Sequence, residues 1–342
     1  QNGRPTGLTQ LGGLVSPDGE FGQPIDAQSV AARDLKSQYQ DEAILGIDKA
    51  WGPEWVTGAK VTVRKLQAAI DDVCDTGKLQ DKYAAEGGDP DSLLPPGCII
   101  FNPGKTNTFD VPNVDGGYTR VKMSREDWGF TEGAKRKYAA LDLYAEHPYD
   151  GKWWARLDYT FARSYGNTEG QVKSDIGQTD VSKTQDWDAA TLMEYSSGLL
   201  ANNRRHQIKF NGAYSFNTEW TVGATVQILS GTPKSCLGYY YNGDDPIGYG
   251  SSYHICNSMP SPPGAAGNEP WTKRLDVALS WRPAFADHKL NFSVNAFNLF
   301  NERKERQSEY VYEDSPYSVA NNYGMGNYFE TPRFVRLSAS YD

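Results

Sequence analysis

The residues with the clearest chemistry are the four cysteines, which fall into two local pairs. Cys74 precedes Cys98, and Cys236 precedes Cys256, with about twenty residues between the members of each pair. Because each pair lies within one long segment, the spacing predicts two disulfides that brace loops in an oxidising compartment. A four-cysteine metal site stays an alternative, although the sequence has no Cys-x-x-Cys motif. Buried free thiols are the other alternative.

Acidic residues cluster in similar loop segments and could supply hard oxygen ligands. The clusters are Asp89 with Asp91, Asp110 with Asn113 and Asp115, Asp186 with Asp188, and Asp244 with Asp245. None follows the twelve-residue calcium-loop pattern. A structural calcium ion in one of these loops is therefore a hypothesis, and we expect no other cofactor.

A run of tyrosines is the best candidate for contact with a ligand. Tyr239, Tyr240 and Tyr241 come just before Asp244 and Asp245. A tyrosine ring has an apolar body and a polar tip, which suits the gripping of sugars or peptides. The alternative is that these rings only pack loops together. It applies equally to the later tyrosines Tyr310, Tyr312, Tyr317, Tyr323 and Tyr328.

Catalysis and nucleic-acid binding find little support in the sequence. The four histidines are dispersed at His147, His206, His254 and His288, without the spacing of a metal site. The sequence contains no Gly-x-Ser-x-Gly nucleophile elbow. The net charge of −9 lacks the basic footprint that nucleic acid requires. We therefore expect neither an enzyme nor a nucleic-acid partner.

In the segments that flank these loops, every second residue is apolar and the residues between them are mostly polar. Three segments near the end of the chain show one apolar face each: Leu275, Val277, Leu279 and Trp281; Leu290, Phe292, Val294 and Ala296; Val335, Leu337, Ala339 and Tyr341. A soluble β-sandwich produces this pattern, with its core on one side and water on the other. A transmembrane β-barrel produces it too, with lipid outside and a polar interior.

Two observations favour the barrel over the soluble sandwich, whose loops would suit carbohydrate binding. Aromatic residues lie at the ends of the apolar stripes, at Trp271, Trp281, Phe285 and Tyr341, as in interfacial girdles. Tight turns also alternate with very long loops, as periplasmic turns and extracellular loops do in outer-membrane barrels. The long loops span about residues 70–135, 166–205, 231–270 and 302–331.

Six further segments upstream show the same alternation, which gives about nine strands in all. They begin near Ala43, Trp55, Ala139, Trp153, Ile208 and Trp220. Single-chain bacterial barrels have an even number of strands, and a strand edge left open in lipid is costly. We therefore interpret residues 41–342 as the C-terminal part of a larger barrel. Residues 1–40, which lack any period, are interpreted as an extracellular loop segment.

Several segments together carry a family resemblance. One is residues 291–301, NFSVNAFNLFN, followed by Pro332-Arg333 before the last strand. Others are residues 165–170, 174–178, 204–206 and 230–233. These segments resemble TonB-dependent outer-membrane receptors of the Oar-like branch. The resemblance implies an antiparallel barrel of about 22 strands with a plugged lumen. It also implies a location in the bacterial outer membrane.

The resemblance implies a receptor or transporter that binds or takes up a ligand at the cell surface through its long loops. The implied partners are outer-membrane lipid and lipopolysaccharide, the N-terminal part of the same barrel and its plug, the TonB complex, and an unidentified surface ligand. The alternative is a structural, adhesion or secretion-related protein of the outer membrane without active uptake, because one fold can serve several functions.

Overall fold

The computed structural model describes residues 26–170, 172–178 and 184–341. It divides into two compact units, each described here by itself. The sheet unit comprises Tyr39–Gln67, Ala134–Gln185 and Thr191–Asp342; the insert unit comprises Gln1–Gln38, Ala68–Gly133 and Asp186–Ala190. Most of the predicted loop segment 1–40, namely residues 1–25, lies outside the described residues.

In the sheet unit, nine strands formed by described residues follow one another in chain order across a single antiparallel sheet. They are β1 (Tyr39–Trp51), β2 (Trp55–Ala68), β3 (Arg136–His147), β4 (Trp153–Gly166), β5 (His206–Ser215), β6 (Trp220–Leu229), β7 (Thr272–Trp281), β8 (Leu290–Phe297) and β9 (Phe334–Tyr341). The short strand Gly198–Leu199 also pairs with β4. The predicted strand order and the number of about nine strands are confirmed.

The strand register places the predicted apolar positions opposite one another. Leu279 of β7 lies opposite Val222 of β6 and Val294 of β8, and Val294 in turn lies opposite Leu337 of β9. Side chains alternate between the two faces of a strand, so a shift of one residue would turn every one of them over. The register therefore gathers one continuous apolar face across the sheet.

This apolar face is exposed rather than covered by a second sheet. Leu45 is 78% exposed, Ile47 71% and Leu337 74%. The other sheets within the described residues have two strands each. The soluble-sandwich alternative is therefore wrong, since its apolar face would be buried against a partner sheet. An exposed apolar face of this extent requires contact with another apolar phase, which lipid supplies for a barrel.

The opposite face of the sheet is polar and its charges are paired. Lys60 lies 3.4 Å from Asp142, and Arg156 lies 2.8 Å from Glu146 and 2.9 Å from Asp158. These residues come from neighbouring strands and from alternate positions along them. A polar, hydrogen-bonded face is what the interior of a transmembrane barrel requires.

Short polar turns close one end of the sheet. The Asp150 carboxylate accepts hydrogen bonds from the amides of Lys152 and Trp153 at 2.8 and 2.9 Å, and Asn217 caps the next turn in the same way. Gly151 has a φ of 97°, which favours glycine at this position. These side chains give the turn amides partners where the ladder ends.

Aromatic rings surround the same end of the sheet. Trp220 and Trp281 stack with ring centroids 5.6 Å apart, and Trp281 also contacts Phe285 and Phe292 at 6.0 and 5.7 Å. The Trp281 indole donates a hydrogen bond of 3.0 Å to Glu219 in the turn. Rings with one apolar side and one polar contact are typical of a membrane–water interface, as the predicted girdle requires at this end.

The insert unit has its own secondary structure and core. Its helix is α1 (Gly77–Ala85), its 3-10 turn is Pro90–Ser92, and its strand pairs are Asp71–Val73 with Ile99–Phe101 and Asn107–Pro112 with Tyr118–Met123. The Trp128 ring packs edge-on against Phe101 and Phe109 at 6.0 and 5.7 Å, and Phe130 packs against Trp187 at 5.1 Å. The first long connection therefore folds around a buried aromatic cluster.

The remaining loops contain only short elements. The described ones are the helix α2 (Ala190–Met193), the 3-10 turns Ser174–Ile176, Tyr241–Gly243 and Ala284–Ala286, and the strand pairs Ile255–Cys256 with Met259–Pro260, Glu305–Ser308 with Gly326–Phe329, and Glu313–Ser315 with Ser318–Val319. Among the described residues, no helix is both long and apolar enough to cross a membrane.

The two faces of β8 give a matched test of which one meets lipid. We expect Val294→Arg to destabilise the folded barrel by about 2–4 kcal/mol, because it puts a cation on the lipid-facing side. Ser293→Arg, one residue away on the polar face, should cost much less. Urea titration of the full-length protein in lipid vesicles measures both changes. Equal destabilisation by the two variants would contradict the assignment of the faces.

Candidate ligand-contact loops

All four cysteines form disulfides in the structure, Cys74 with Cys98 and Cys236 with Cys256. No free thiol remains. Within the described part of the chain, Asp72, Cys74 and Cys98 are the group whose ligand atoms lie close enough to share a metal ion. Because both sulfurs of this group are bonded to each other, they offer no thiolate. The disulfide pairing predicted from the spacing is the one observed, and the four-cysteine metal site is wrong.

Tyr240, which lies in the loop that follows β6, is held by three neighbours. Its hydroxyl donates a hydrogen bond of 2.9 Å to the Glu194 carboxylate. Its ring packs edge-on against Tyr241 and Tyr253, with centroids 5.2 and 5.4 Å apart. Burial and the neighbouring Glu194 raise the pKa of Tyr240 to about 12. The phenol is therefore neutral and a donor at physiological pH.

Tyr241 makes the second hydroxyl contact of the run. It donates to the Tyr195 hydroxyl at 3.0 Å, and this bond together with burial raises the pKa of Tyr241 to about 12. Both hydroxyls are thus engaged with residues about fifty positions earlier in the chain, which fastens two loops together. The Tyr240 and Tyr241 hydroxyls therefore hold loops together, as the alternative to ligand contact predicted.

Asp245 organises the turn that follows the tyrosines. Its carboxylate accepts hydrogen bonds from the Tyr253 hydroxyl at 2.7 Å and from the amides of Tyr249 and Gly250, each at 2.9 Å. Burial alone would raise the pKa of Asp245, but these donors outweigh burial and hold the pKa below its usual value. The carboxylate is therefore a structural acceptor.

A small apolar cluster forms the floor beneath these rings. Leu192, Tyr253 and Ile255 are almost completely buried, and Tyr240 and Tyr241 pack against them. Ile255 adjoins Cys256, so the Cys236–Cys256 disulfide fixes one side of the cluster. The loop is held by a covalent link, an apolar floor and hydrogen-bonded rings.

Tyr239 and Asp244 are tied differently from their neighbours. The backbone amide of Tyr239 donates to the Glu313 carboxylate at 2.8 Å, and its side chain is half-buried. The side chain of Asp244 is exposed, and its carboxylate accepts from the amide of Asp245 at 2.9 Å. The structure thus brings all five predicted residues onto one loop surface. Their contact with a ligand stays a prediction.

Residues from two other loops complete this surface, and all of them except Tyr317 were missed in the sequence. Glu194 and Tyr195 come from the preceding loop and Glu313 and Tyr317 from the last one; the Tyr317 hydroxyl donates to the Asn242 carbonyl. Tyr317 is one of the later tyrosines named from the sequence, whereas only the abundance of tyrosine hinted at Tyr195. Local patterns could not identify Glu194 or Glu313, because their partners lie far away in the sequence.

The later tyrosines also serve to pack loops. The buried Tyr310 donates to Glu269 at 2.9 Å, and Glu269 lies 3.2 Å from the Lys234 ammonium. Burial and this carboxylate raise the pKa of Tyr310. Tyr312 packs edge-on against Tyr323 at 5.0 Å. Exposed rings among the predicted set are those of Tyr317 and Tyr328.

Two of the predicted acidic clusters have carboxylates that bond protein donors. Asp110 pairs with Arg33, lies 3.3 Å from Arg120 and accepts from Gln28 at 2.7 Å. Burial alone would raise the pKa of Asp110, but these partners outweigh burial and keep that pKa below its usual value. Asp89 accepts from the amide of Asp91 at 3.1 Å and begins a 3-10 turn. Calcium in an acidic loop stays a prediction.

The disulfide of the tyrosine loop should govern its resistance to protease. For Cys236→Ser/Cys256→Ser we expect the folded loop to lose about 3 kcal/mol, because a closed loop of this size restricts the unfolded chain. Limited proteolysis of the full-length protein, with cleavage sites mapped by mass spectrometry, should show faster cutting within residues 231–270. Cys74→Ser/Cys98→Ser is the control, and equal cutting in both variants would contradict the idea.

The lowered pKa of Asp245 makes the same loop sensitive to acid. A carboxylate with a depressed folded pKa stabilises the loop above about pH 4 and loses that contribution as the pH falls through the folded pKa. Tyr253→Phe removes one donor, so we expect pepsin cleavage of the loop to begin at a higher pH than in the wild type. Tyr239→Phe serves as the control. Identical onset in Tyr253→Phe and wild type would count against this role of Asp245.

The chain was compared with known proteins in sequence and in fold. No family model matches it. The chain is 27% identical over 287 residues to the TonB-dependent transporter Oar of Myxococcus xanthus, covering 82% of this chain and 22% of the relative. Its fold is similar to that of the outer-membrane transporter YddB of Escherichia coli, with a TM-score of 0.52, 15% identity, and coverage of 90% of this chain and 33% of that one.

A second solved structure supports the same fold. The siderophore receptor PiuA of Acinetobacter baumannii gives a TM-score of 0.50 with 10% identity, over 93% of this chain and 30% of the receptor. The chain thus spans less than a quarter of the curated relative and about a third of each of these receptors. The predicted resemblance is confirmed: in sequence the chain is similar to a TonB-dependent transporter, and in fold to part of an outer-membrane receptor barrel.

Proposed function

We propose that this chain is part of an outer-membrane receptor or transporter that acts with the TonB complex and binds or takes up a ligand at the bacterial cell surface. The observation that carries the proposal is the nine-stranded sheet with one exposed apolar face and one paired polar face. The 27% identity with Oar, which is named a TonB-dependent transporter, gives this sheet its functional context.

The sheet needs further strands to close. Along the described strands, β1 and β9 each have one neighbour in the sheet. An open ladder in hydrocarbon costs several kcal/mol for each unsatisfied backbone group. In the proposed protein the N-terminal part of the same barrel supplies the missing strands, and its plug meets the polar face. Membrane lipid and lipopolysaccharide cover the apolar face.

The long loops provide the surface that first meets a ligand. The exposed Asp244 and the half-buried Tyr239 lie beside rings whose hydroxyls are already bonded, so the backbone of the loop is held in place. A braced loop loses little conformational freedom when it binds. Tyr239, Tyr240, Tyr241, Asp244 and Asp245 are the proposed contact residues.

Catalysis has no part in this proposal. The similar proteins are named transporters and receptors. The histidines are engaged in local contacts: His147 stacks on Trp153 at 3.7 Å, and the His206 ring lies 2.9 Å from the Tyr159 hydroxyl. His254 is buried, which together with Lys173 lowers its pKa to about 3 and keeps it neutral.

A test of uptake separates the proposal from the alternative of a structural, adhesion or secretion-related protein. Cells that express the full-length protein are grown in defined medium with and without functional TonB, and the loss of each medium component is measured by mass spectrometry. We expect at least one component to be depleted only when both proteins are present. If no component is depleted in a TonB-dependent way although the protein is correctly placed in the outer membrane, the result supports the alternative.

The tyrosine run can be tested in the same cells. We expect Tyr239→Ser/Tyr240→Ser/Tyr241→Ser to weaken binding of the depleted component about tenfold or more, since several aromatic contacts are lost together. Because this variant also loosens the loop, Tyr240→Phe is the control: it keeps the ring and removes only the bond to Glu194. Unchanged affinity in the triple variant would exclude these residues from the binding site.

A further inference from the structure

Asn298, the residue after β8, is almost completely buried and joins the two ends of the last long loop, about residues 302–331. Its side-chain nitrogen donates to the carbonyls of Glu302 and Thr331 at 2.9 and 2.8 Å, and its side-chain oxygen accepts from the Glu302 amide at 2.8 Å. Its φ of 49° lies in the left-handed region, which asparagine adopts more readily than most residues. One side chain therefore closes the base of the loop.

The base of the loop is also fixed to the sheet. The backbone amide of Asn298 donates to the Asp276 carboxylate of β7 at 2.7 Å, and Arg274 lies 2.8 Å from the same carboxylate. Asp276 comes between Leu275 and Val277, which belong to the apolar face, so its own side chain is on the polar face. The position of the loop base thus depends on a carboxylate of the polar face.

A second link crosses the same base. The Asn301 side chain accepts from the Arg333 amide at 3.1 Å, and the Arg333 guanidinium donates to the Leu299 carbonyl at 3.3 Å. Links at two separate positions keep the ends of the loop from turning about a single joint. The base therefore fixes the direction in which the loop leaves the sheet.

The last loop reaches the tyrosine run through backbone contacts. The Leu237 amide donates to the Tyr310 carbonyl at 2.9 Å. The Tyr239 amide donates to the Glu313 carboxylate at 2.8 Å. A Cβ atom on Gly238 would lie 2.7 Å from that carboxylate, so the two segments approach as closely as a glycine allows. The geometry of the tyrosine run therefore depends on where the last loop lies.

We propose that Asn298 is a positioning residue for ligand binding, because it holds the last loop where Tyr310 and Glu313 bond the segment of the tyrosine run. The inference rests on the proposed receptor function and adds to it a residue that acts through the loop. Without the Asn298 side chain, the Glu302 and Thr331 carbonyls lose their donor, and the loop base must move to find another one. A loop that is looser before binding loses more conformational freedom on binding.

Hydrogen–deuterium exchange of the purified full-length protein, read by mass spectrometry, tests the loop without a ligand. Asn298→Gly removes the side chain and keeps a residue that adopts the left-handed backbone. We expect the amides of Leu237 and Tyr239 to exchange about tenfold faster in this variant. A purely local role would speed exchange at Glu302 alone. Asn321→Gly, at an exposed position in the same loop, is the control and should leave Leu237 and Tyr239 unchanged.

A second variant covers the case in which the glycine variant fails to fold. Asn298→Asp keeps the size of the side chain and the acceptor for the Glu302 amide but loses both donors. It should also speed exchange at Leu237 and Tyr239.

Binding is then measured with the medium component that the uptake test identifies, used as a pure compound. We expect its affinity to fall about tenfold in Asn298→Gly, because the looser loop must be ordered on binding. Asn321→Gly should bind like the wild type.

Unchanged exchange at Leu237 and Tyr239 in the Asn298 variants would overturn the inference. Faster exchange with unchanged affinity would overturn it as well, since the loop would then move without consequence for binding. If the uptake test finds no TonB-dependent component, the proposed function fails on its own evidence. The exchange experiment needs no ligand, so it still decides whether Asn298 positions the loops.

Discussion

The structure depends on the need to pair every backbone amide and carbonyl of a strand whose alternate side chains face hydrocarbon. A β-ladder gives the backbone amides and carbonyls their hydrogen-bond partners. The two-residue period of the strand then places alternate side chains on opposite faces. The register that sets Val294 opposite both Leu279 and Leu337 fixes this sorting over three strands. A slip by one residue would put Ser293 and its polar neighbours into the apolar face.

The same constraint explains the division of labour between the ends of the sheet. Turns such as the one capped by Asp150 need only a few polar atoms to satisfy the backbone, so they stay short. The described loops at the other end have only short strand pairs, so other contacts hold them in place. The Cys236–Cys256 disulfide, the buried Tyr253 and the Tyr310–Glu269 bond together replace the ladder in the sheet unit. The insert unit uses its aromatic cluster around Trp128.

Many polar side chains in the loops form hydrogen bonds within the protein and so stabilise the loop conformation. The hydroxyls of Tyr240 and Tyr241 and the carboxylate of Asp245 all have protein partners. A loop with this internal bonding presents a preformed surface, and exposed groups such as Asp244 are then available at its rim.

The sequence by itself determined the strands, the two faces and the pairing of the cysteines, because all three follow from local spacing. The two-residue alternation of the last strand places Val335 and Leu337 on the apolar face. Cys236 has its partner within its own loop. Only the tertiary structure decided that Glu194 meets Tyr240, that Glu313 binds the Tyr239 amide, and that Lys65 stands opposite Lys137. These contacts join distant segments, and no local period records which segments the ladder and the loops will bring together.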